Sequence, residues 1–174
     1  MRKNSMLRFA EESTAIPAVG EGKRGPAGHL GYLLRQAANA HRRRMDRALS
    51  SLGLNHPQFL VLMMISAYPG CSNAEIARLA MLTPQTVHAI ITGLQQKALI
   101  VRRPDGTHGR ILNIDLTDAG RELLEHASQR AHELELELGR LLSKTEGIAV
   151  RRWLVEAARA ADRIDADEDQ PGIL

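Results

Sequence analysis

The run from 82 to 120, LTPQTVHAIITGLQQKALIVRRPDGTHGRILNIDLTDAG, constrains the fold more than any other part of the chain. It opens on Thr83, a good N-cap oxygen, with Pro84 at the first helical position, where a missing backbone N–H costs nothing. Val87, Ile90, Ile91 and Leu94 then recur at helical spacing and form one apolar stripe, leaving Gln85, Thr86, Ala89, Thr92 and Gln96 on other faces. Two runs rich in β-branched residues follow, 99–103 and 111–116, joined by the turn formers Pro104, Asp105, Gly106 and Gly109. The expectation is a short helix followed directly by a two-stranded hairpin.

Both pieces suit DNA. The helix's outer face is small, polar and uncharged, so hydroxyl and amide groups can approach base edges that bulky or acidic side chains would block or repel. Arg102, Arg103 and Arg110 gather around the hairpin tip with a single carboxylate, Asp105, and make the loop cationic. An isolated basic hairpin is by default a solvated turn. Beside a matching helix it becomes a contact for phosphates or the minor groove.

The rest of the chain reads as helices. Residues 1–26 carry Pro17, Gly20, Gly22, Gly25 and Pro26 without sustained periodicity and read as a flexible arm, with a short helical turn near Met6 to Phe9. A helix over about 27–52 follows, its apolar positions including Leu30, Leu33, Leu34, Ala37, Met45 and Leu49, with Gly53 as its stop. Pro57 starts a second helix, apolar on all sides and therefore buried, which Tyr68, Pro69 and Gly70 end. Ser72 and Glu75 have capping-box spacing at the head of a third, with Ile76, Ala77, Leu79 and Ala80 as its inner face. Met81 and Leu82 make the tight turn into the recognition helix, as a helix-turn-helix requires.

Beyond the hairpin, Thr117 caps a long helix in which Leu123, Leu124, Ala127, Ala131, Leu134, Leu138, Leu141 and Leu142 keep helical spacing. After a break expected at 143–147, a final helix carries Ile148, Val150, Trp153, Leu154, Ala157, Ala160 and Ile164, and residues 165–174 form an acidic tail. These terminal helices exceed what one small core needs, which points to an apolar surface shared between subunits. The fold class is mainly α with a small β-hairpin wing.

Composition narrows the function. Aromatic content of 3% counts against base-stacking platforms of the RNA-binding type, and a net charge of +3 at pI near 9.4 makes charge placement matter more than its sum. One cysteine, Cys71, allows no internal disulfide or multi-cysteine zinc site, which fits a reducing cytoplasm. No segment approaches the ~20 apolar residues of a membrane span. His126 and His132, six positions apart on one helix, point different ways and cannot chelate together, so no metal or other cofactor is expected. No HExxH, GxSxG or phosphate-loop motif is present, and an enzyme is not expected.

The order of helices, helix-turn-helix, wing and two terminal helices resembles the MarR family of transcriptional regulators over about residues 28–164. The matching positions are Gly53 and Leu54 before Pro57, the NAEIARLA segment, TPQTV, GLQQKALIVRR, and Arg110 six residues before Leu116 and Thr117, with Gly120 after. The resemblance implies a winged helix-turn-helix at about 55–117 and dimerisation helices at about 27–52 and 118–164. It further implies a homodimer reading the halves of a near-palindromic double-stranded operator, with Arg110 as the wing-tip arginine that enters the minor groove. Two departures stand out. His108 replaces the aspartate that usually precedes that arginine by two, and Ala89 stands where the recognition helix often has an arginine. Reading then shifts toward Gln85, Thr86, His88 and DNA shape.

The expected DNA set is Thr83, Gln85, Thr86, His88, Arg103 and Arg110, with Arg102 in reserve. Arg42, Arg43, Arg44 and Arg47 read as a solvated helix face. The resemblance also implies a small organic effector, an aromatic or phenolic anion held in a crevice of the first, second and fifth helices. His29, Tyr32, Gln36, His56, Phe59 and Met63 lie on segments suited to line it, although packing or capping is the ordinary role of each. The reading is thus a cytoplasmic repressor released by such an effector. The alternatives are a redox sensor built on Cys71, a metal sensor on the same scaffold, and a winged-helix interaction module with no effector.

Overall fold

In a computed structural model of the chain, residues 16–104 and 112–168 are described, with side chains from 16–102 and 113–160. The chain divides into two compact units, one ending at Asp46 and one beginning at Arg47. In order, the elements are α1 (Leu30–Leu49), α2 (His56–Ala67), α3 (Asn73–Ala80), α4 (Pro84–Gln96), β1 (Ile100–Pro104), β2 (Leu112–Leu116), α5 (Asp118–Gly139) and α6 (Lys144–Glu168). The architecture is mainly helical with one antiparallel two-stranded sheet.

The first unit holds the first surprise. From Ile16 onward the expected arm is folded back on itself around a 3-10 helix, Gly22–Arg24. Gly20 N–H donates to the Arg24 carbonyl at 3.1 Å, and Arg24 N–H donates to that of Glu21 at 2.9 Å. A Cβ on Gly25 would run into the backbone oxygen of Gly20, so the fold-back needs glycine there. The glycines that suggest looseness in the sequence are what permit the close turn.

In the second unit α2 is the centre, packed against α3, α4, α5 and β2. Phe59, Val61, Leu62 and Ile65 are buried along it, as expected of a helix with so little polar surface. Ile76, Ala77 and Ala80 of α3, Val87, Ile91 and Leu94 of α4, and Ala127 and Leu134 of α5 join the core with Ile100, Ile114 and Leu116 of the hairpin and with Leu49 and Leu54. The long amphipathic stripes of the sequence therefore converge on one helix.

Local signals set the boundaries. Gly53 stops the turn after α1 at φ 67°, in the left-handed region that glycine enters without steric cost. Asn55 and Gln58 form a reciprocal capping box at the head of α2, with Pro57 inside its first turn. Ser72 and Glu75 do the same for α3. The break after α5 falls earlier than expected: α6 begins at Lys144, because Ser143 and Glu146 form a third capping box. The helix also runs on through Glu168, past the start of the expected tail. Among the described residues no single helix is long and apolar enough to cross a membrane.

Candidate nucleic-acid interface

The recognition helix is α4. Its three buried residues, Val87, Ile91 and Leu94, lie on one stripe, and that fixes Gln85, Thr86, His88 and Ala89 as solvent-exposed. No residue of Pro84–Gln96 is charged. Thr83 caps the helix: its Oγ1 accepts from the Thr86 N–H at 3.2 Å and lies 2.8 Å from the Thr86 hydroxyl. The two hydroxyls are thus tied together at the entry of the helix, and Thr83 spends most of its hydrogen-bonding capacity on the cap. Thr92 turns its hydroxyl back to the His88 carbonyl at 2.9 Å. Gln85, His88 and the remaining capacity of Thr86 are left for an outside partner.

The helix is braced at both ends. Met81, at φ 54°, ends α3 in the left-handed conformation and makes the tight turn toward α4. At the other end Ala98, at φ 55°, turns the chain into the hairpin. Lys97 extends its Nζ to the Gly53 carbonyl at 3.3 Å, and so ties the end of α4 to the turn before α2. Thr117 joins hairpin and α5: its N–H donates to the Leu99 carbonyl, its hydroxyl donates to that of Ala98 at 2.8 Å, and the same Oγ1 accepts from the Gly120 N–H at 3.0 Å. A Cβ on Gly120 would strike the Leu99 carbonyl, so the LTDAG step is a close backbone crossing.

The hairpin pairs Ile100 with Leu116, Arg102 with Ile114 and Arg103 with Asn113. Ile100, Ile114 and Leu116 are buried, which places Arg102 in the inward row of the sheet. Arg102 is half-buried, and its Nε is enclosed without a hydrogen-bond partner. Strand alternation thus sets Arg102 on the face of the hairpin that carries Ile100, Ile114 and Leu116. Arg103 is placed by its register alone. Arg110, His108 and the rest of the tip, 105–111, lie outside the described residues.

The expected effector residues are dispersed in character. His29 and Tyr32 are exposed at the start of α1, Tyr32 at 47%. Gln36 is engaged, its side chain bonded to Arg24 through both polar atoms. His56 and Met63 are half-buried on α2, and Phe59 is a core residue at 4% exposure. A cavity of about 510 Å³ that the sequence reading missed is lined by Leu52 and by His126, Gln129, Arg130 and Glu133 of α5. Its signal was a polar stripe at i, i+3, i+4 and i+7 opposite an apolar one. Arg130 is fixed there by donating to the Ala48 carbonyl at 3.3 Å. Cys71 is half-buried and lines a second hollow with Glu75, Arg78 and Leu79. Among the described residues no group of three His, Cys, Asp or Glu side chains is placed to hold a metal ion.

Two further surfaces are apolar and exposed. In the first unit Leu30, Tyr32 and Leu34 of α1 face solvent. In the second, Leu136 and Leu138 at the end of α5 and Leu141 and Leu142 in the turn after it, with Ile148, Trp153, Leu154 and Val155 of α6, do the same. Patches of this kind are uncommon on a monomer and mark interaction sites.

Comparison with known proteins agrees with this geometry. Residues 52–111 match the MarR family profile. The transcriptional repressor Rv2887 of Mycobacterium tuberculosis is 40% identical over 98 residues, 56% of this chain and 70% of the relative. The crystal structure of Rv2887 in complex with salicylic acid superposes with a TM-score of 0.63 at 32% identity, covering 76% of this chain and 98% of that one. The MepR–DNA complex of Staphylococcus aureus gives a TM-score of 0.70 at 26% identity, covering 76% and 96%.

Proposed function

Because this chain belongs to the MarR family of winged helix-turn-helix transcriptional regulators, we propose that it is a homodimeric repressor that holds a near-palindromic operator until a small aromatic acid releases it. The carrying observation is α4: a braced helix with an uncharged, exposed face of Gln85, Thr86 and His88, set beside the hairpin. Such a face reads base edges in the major groove through amide, hydroxyl and imidazole groups. Arg103 and Arg110 of the wing supply the phosphate and minor-groove contacts, and Thr83 orders the helix entry. Arg102 contributes through the packing of the wing.

The exposed apolar faces of α1, of the end of α5 and of α6 are the dimer surface, which gives one reading helix per half-site. Binding needs the two α4 helices about one DNA turn, roughly 34 Å, apart. An effector that prefers a different spacing shifts the population, and a few kcal/mol of differential affinity suffices. The salicylic-acid complex of the mycobacterial relative supports an aromatic acid as the ligand class. Of the positions expected to meet it, His29 and Tyr32 of the first unit are exposed, and His56 and Met63 of α2 are half-buried.

The test is a fluorescence-anisotropy titration on the protein's own promoter DNA against scrambled DNA at two salt concentrations. The expected result is tighter promoter binding that Arg110→Ala weakens about tenfold or more and that salicylate reverses. Equal and steeply salt-dependent binding to both DNAs would leave only phosphate attraction.

A further inference from the structure

We propose that Arg24, carried to α1 by the N-terminal fold-back, is the cation that receives the acid group of the effector; the inference rests on the effector reading above. Arg24 is half-buried and held on two sides, its Nε donating to Gln36 Oε1 at 3.2 Å and its Nη1 to the Pro17 carbonyl at 2.9 Å. Gln36 returns the bond from Nε2 to the Arg24 carbonyl at 3.1 Å. A guanidinium has five N–H donors, and among the described residues only Gln36 Oε1 and the Pro17 carbonyl accept from it, with none at the Nη2 edge. The head group is thus oriented before any ligand arrives. Gln36 acts as its support rather than as a ligand contact.

The surroundings favour an anion with a flat apolar body. His29, Tyr32, Leu33 and Gln36 fall at i, i+3, i+4 and i+7 along α1 and its entry, so Tyr32 stands one turn from the residue that holds Arg24. Both His29 and Tyr32 are exposed. Between Glu21 and Asp46 the sequence has no acidic residue, and Glu21 already accepts from the Ala18 N–H at 2.9 Å. Lys23 and Arg35 add to the positive field. A carboxylate pairs with the planar edge of a guanidinium through two parallel bonds, and an aromatic ring attached to it has the Tyr32 side chain on the same face. A benzoate-type acid fits this description, and a neutral amide does not.

The experiment is calorimetric titration of the protein with salicylate and with benzamide, a ring without the acid, for wild type, Arg24→Ala, Arg24→Lys and Gln36→Ala. Loss of one charge-assisted pair predicts salicylate binding about 10- to 100-fold weaker in Arg24→Ala, with Arg24→Lys between it and wild type and operator binding without ligand unchanged. Gln36→Ala shifts affinity in the same direction by less, since it frees the head group without removing its charge. Salicylate binding equal in wild type and Arg24→Ala would overturn the assignment and leave the effector reading standing. No salicylate binding by wild type would bring down both. A parallel fall in ligand-free operator affinity for Arg24→Ala would reduce the arginine to a support of α1 and overturn the proposal as well.

Discussion

The α3–α4 lobe and α6 belong to the same unit and are built from similar amphipathic sequence, yet they end up differently packed. α3 and α4 bury Ile76, Ala77, Ala80, Val87, Ile91 and Leu94 against α2 and the hairpin. Over residues 144–160 of α6, where side chains are described, only Gly147 is buried, while Ile148, Trp153, Leu154 and Val155 stand 41–61% exposed. The lobe is complete in one chain. Among the described residues of its own unit the apolar stripe of α6 stays largely exposed, and helical spacing alone does not distinguish a stripe that meets its own core from one that meets another partner.

Two leucines turn this contrast into measurements. Leu94 is fully buried on α4, and Leu94→Ala should cost about 2–5 kcal/mol from lost burial and the cavity left behind. Thermal unfolding checks this, with a fall in Tm of several degrees at any protein concentration. A loss below about 1 kcal/mol would mean that the lobe relaxes around the cavity and is not the rigid part. Leu154→Asp should hardly change the fold of one chain, because Leu154 is 41% exposed. It should instead move the species in sedimentation velocity toward monomer. Operator affinity should fall about tenfold or more as the two half-sites are no longer read together. An unchanged dimer would show that the apolar face of α6 serves another partner.

How legible each region was follows from the range of the forces involved. The caps at Ser72, Thr83 and Thr117 and the stop at Gly53 are local signals, and the structure has them where the sequence puts them. The stripes hold less fully, because Leu79, expected on the inner face of α3, and Leu138 of α5 are each 41% exposed, and α5 ends at Gly139, before Leu141 and Leu142. Asn55 with Gln58 and Ser143 with Glu146 were equally local; the Ser143 signal, read in full, would have placed the start of α6 at Lys144. Arg102 shows a different limit. Its charge suggests the wing tip, but its place in the row of Ile100, Ile114 and Leu116 depends on strand register, which charge does not report. The Arg24–Gln36 clip joins residues twelve apart through a turn that only the glycines hint at. The exposed face of α4 was legible because one buried stripe fixes the opposite face, whereas the environment of the candidate effector positions depends on tertiary neighbours.

Two capping boxes of the same chemistry, one in each region, give the finest test. Glu75 accepts from the Ser72 N–H and from its hydroxyl, both at 2.8 Å, and Glu146 accepts from the Ser143 N–H at 2.8 Å. For Glu75 the backbone bond from Ser72 is the larger cause that holds the carboxyl below its usual value of 4.5, the hydroxyl adding to it and Arg78 contributing least. For Glu146 the Ser143 side chain leads and the backbone follows. A carboxyl depressed in the folded state contributes stability that is fully present above the usual carboxylate value. That contribution is lost as pH falls through the lower folded value. Both groups are solvent-exposed, so each effect is small, but the regions should report it differently. Glu75→Gln keeps an acceptor that acid does not titrate, and it should make global unfolding of the lobe less acid-sensitive, measured as the change in Tm between neutral pH and the acid side of the carboxylate range. Glu146→Gln should leave that change as in wild type and alter only amide exchange at the start of α6, where the helix frays without unfolding the core. If Glu146→Gln moved the global transition as much as Glu75→Gln, α6 would be folded into the same cooperative unit as the lobe, and the division between a self-sufficient region and a partner-dependent one would fail.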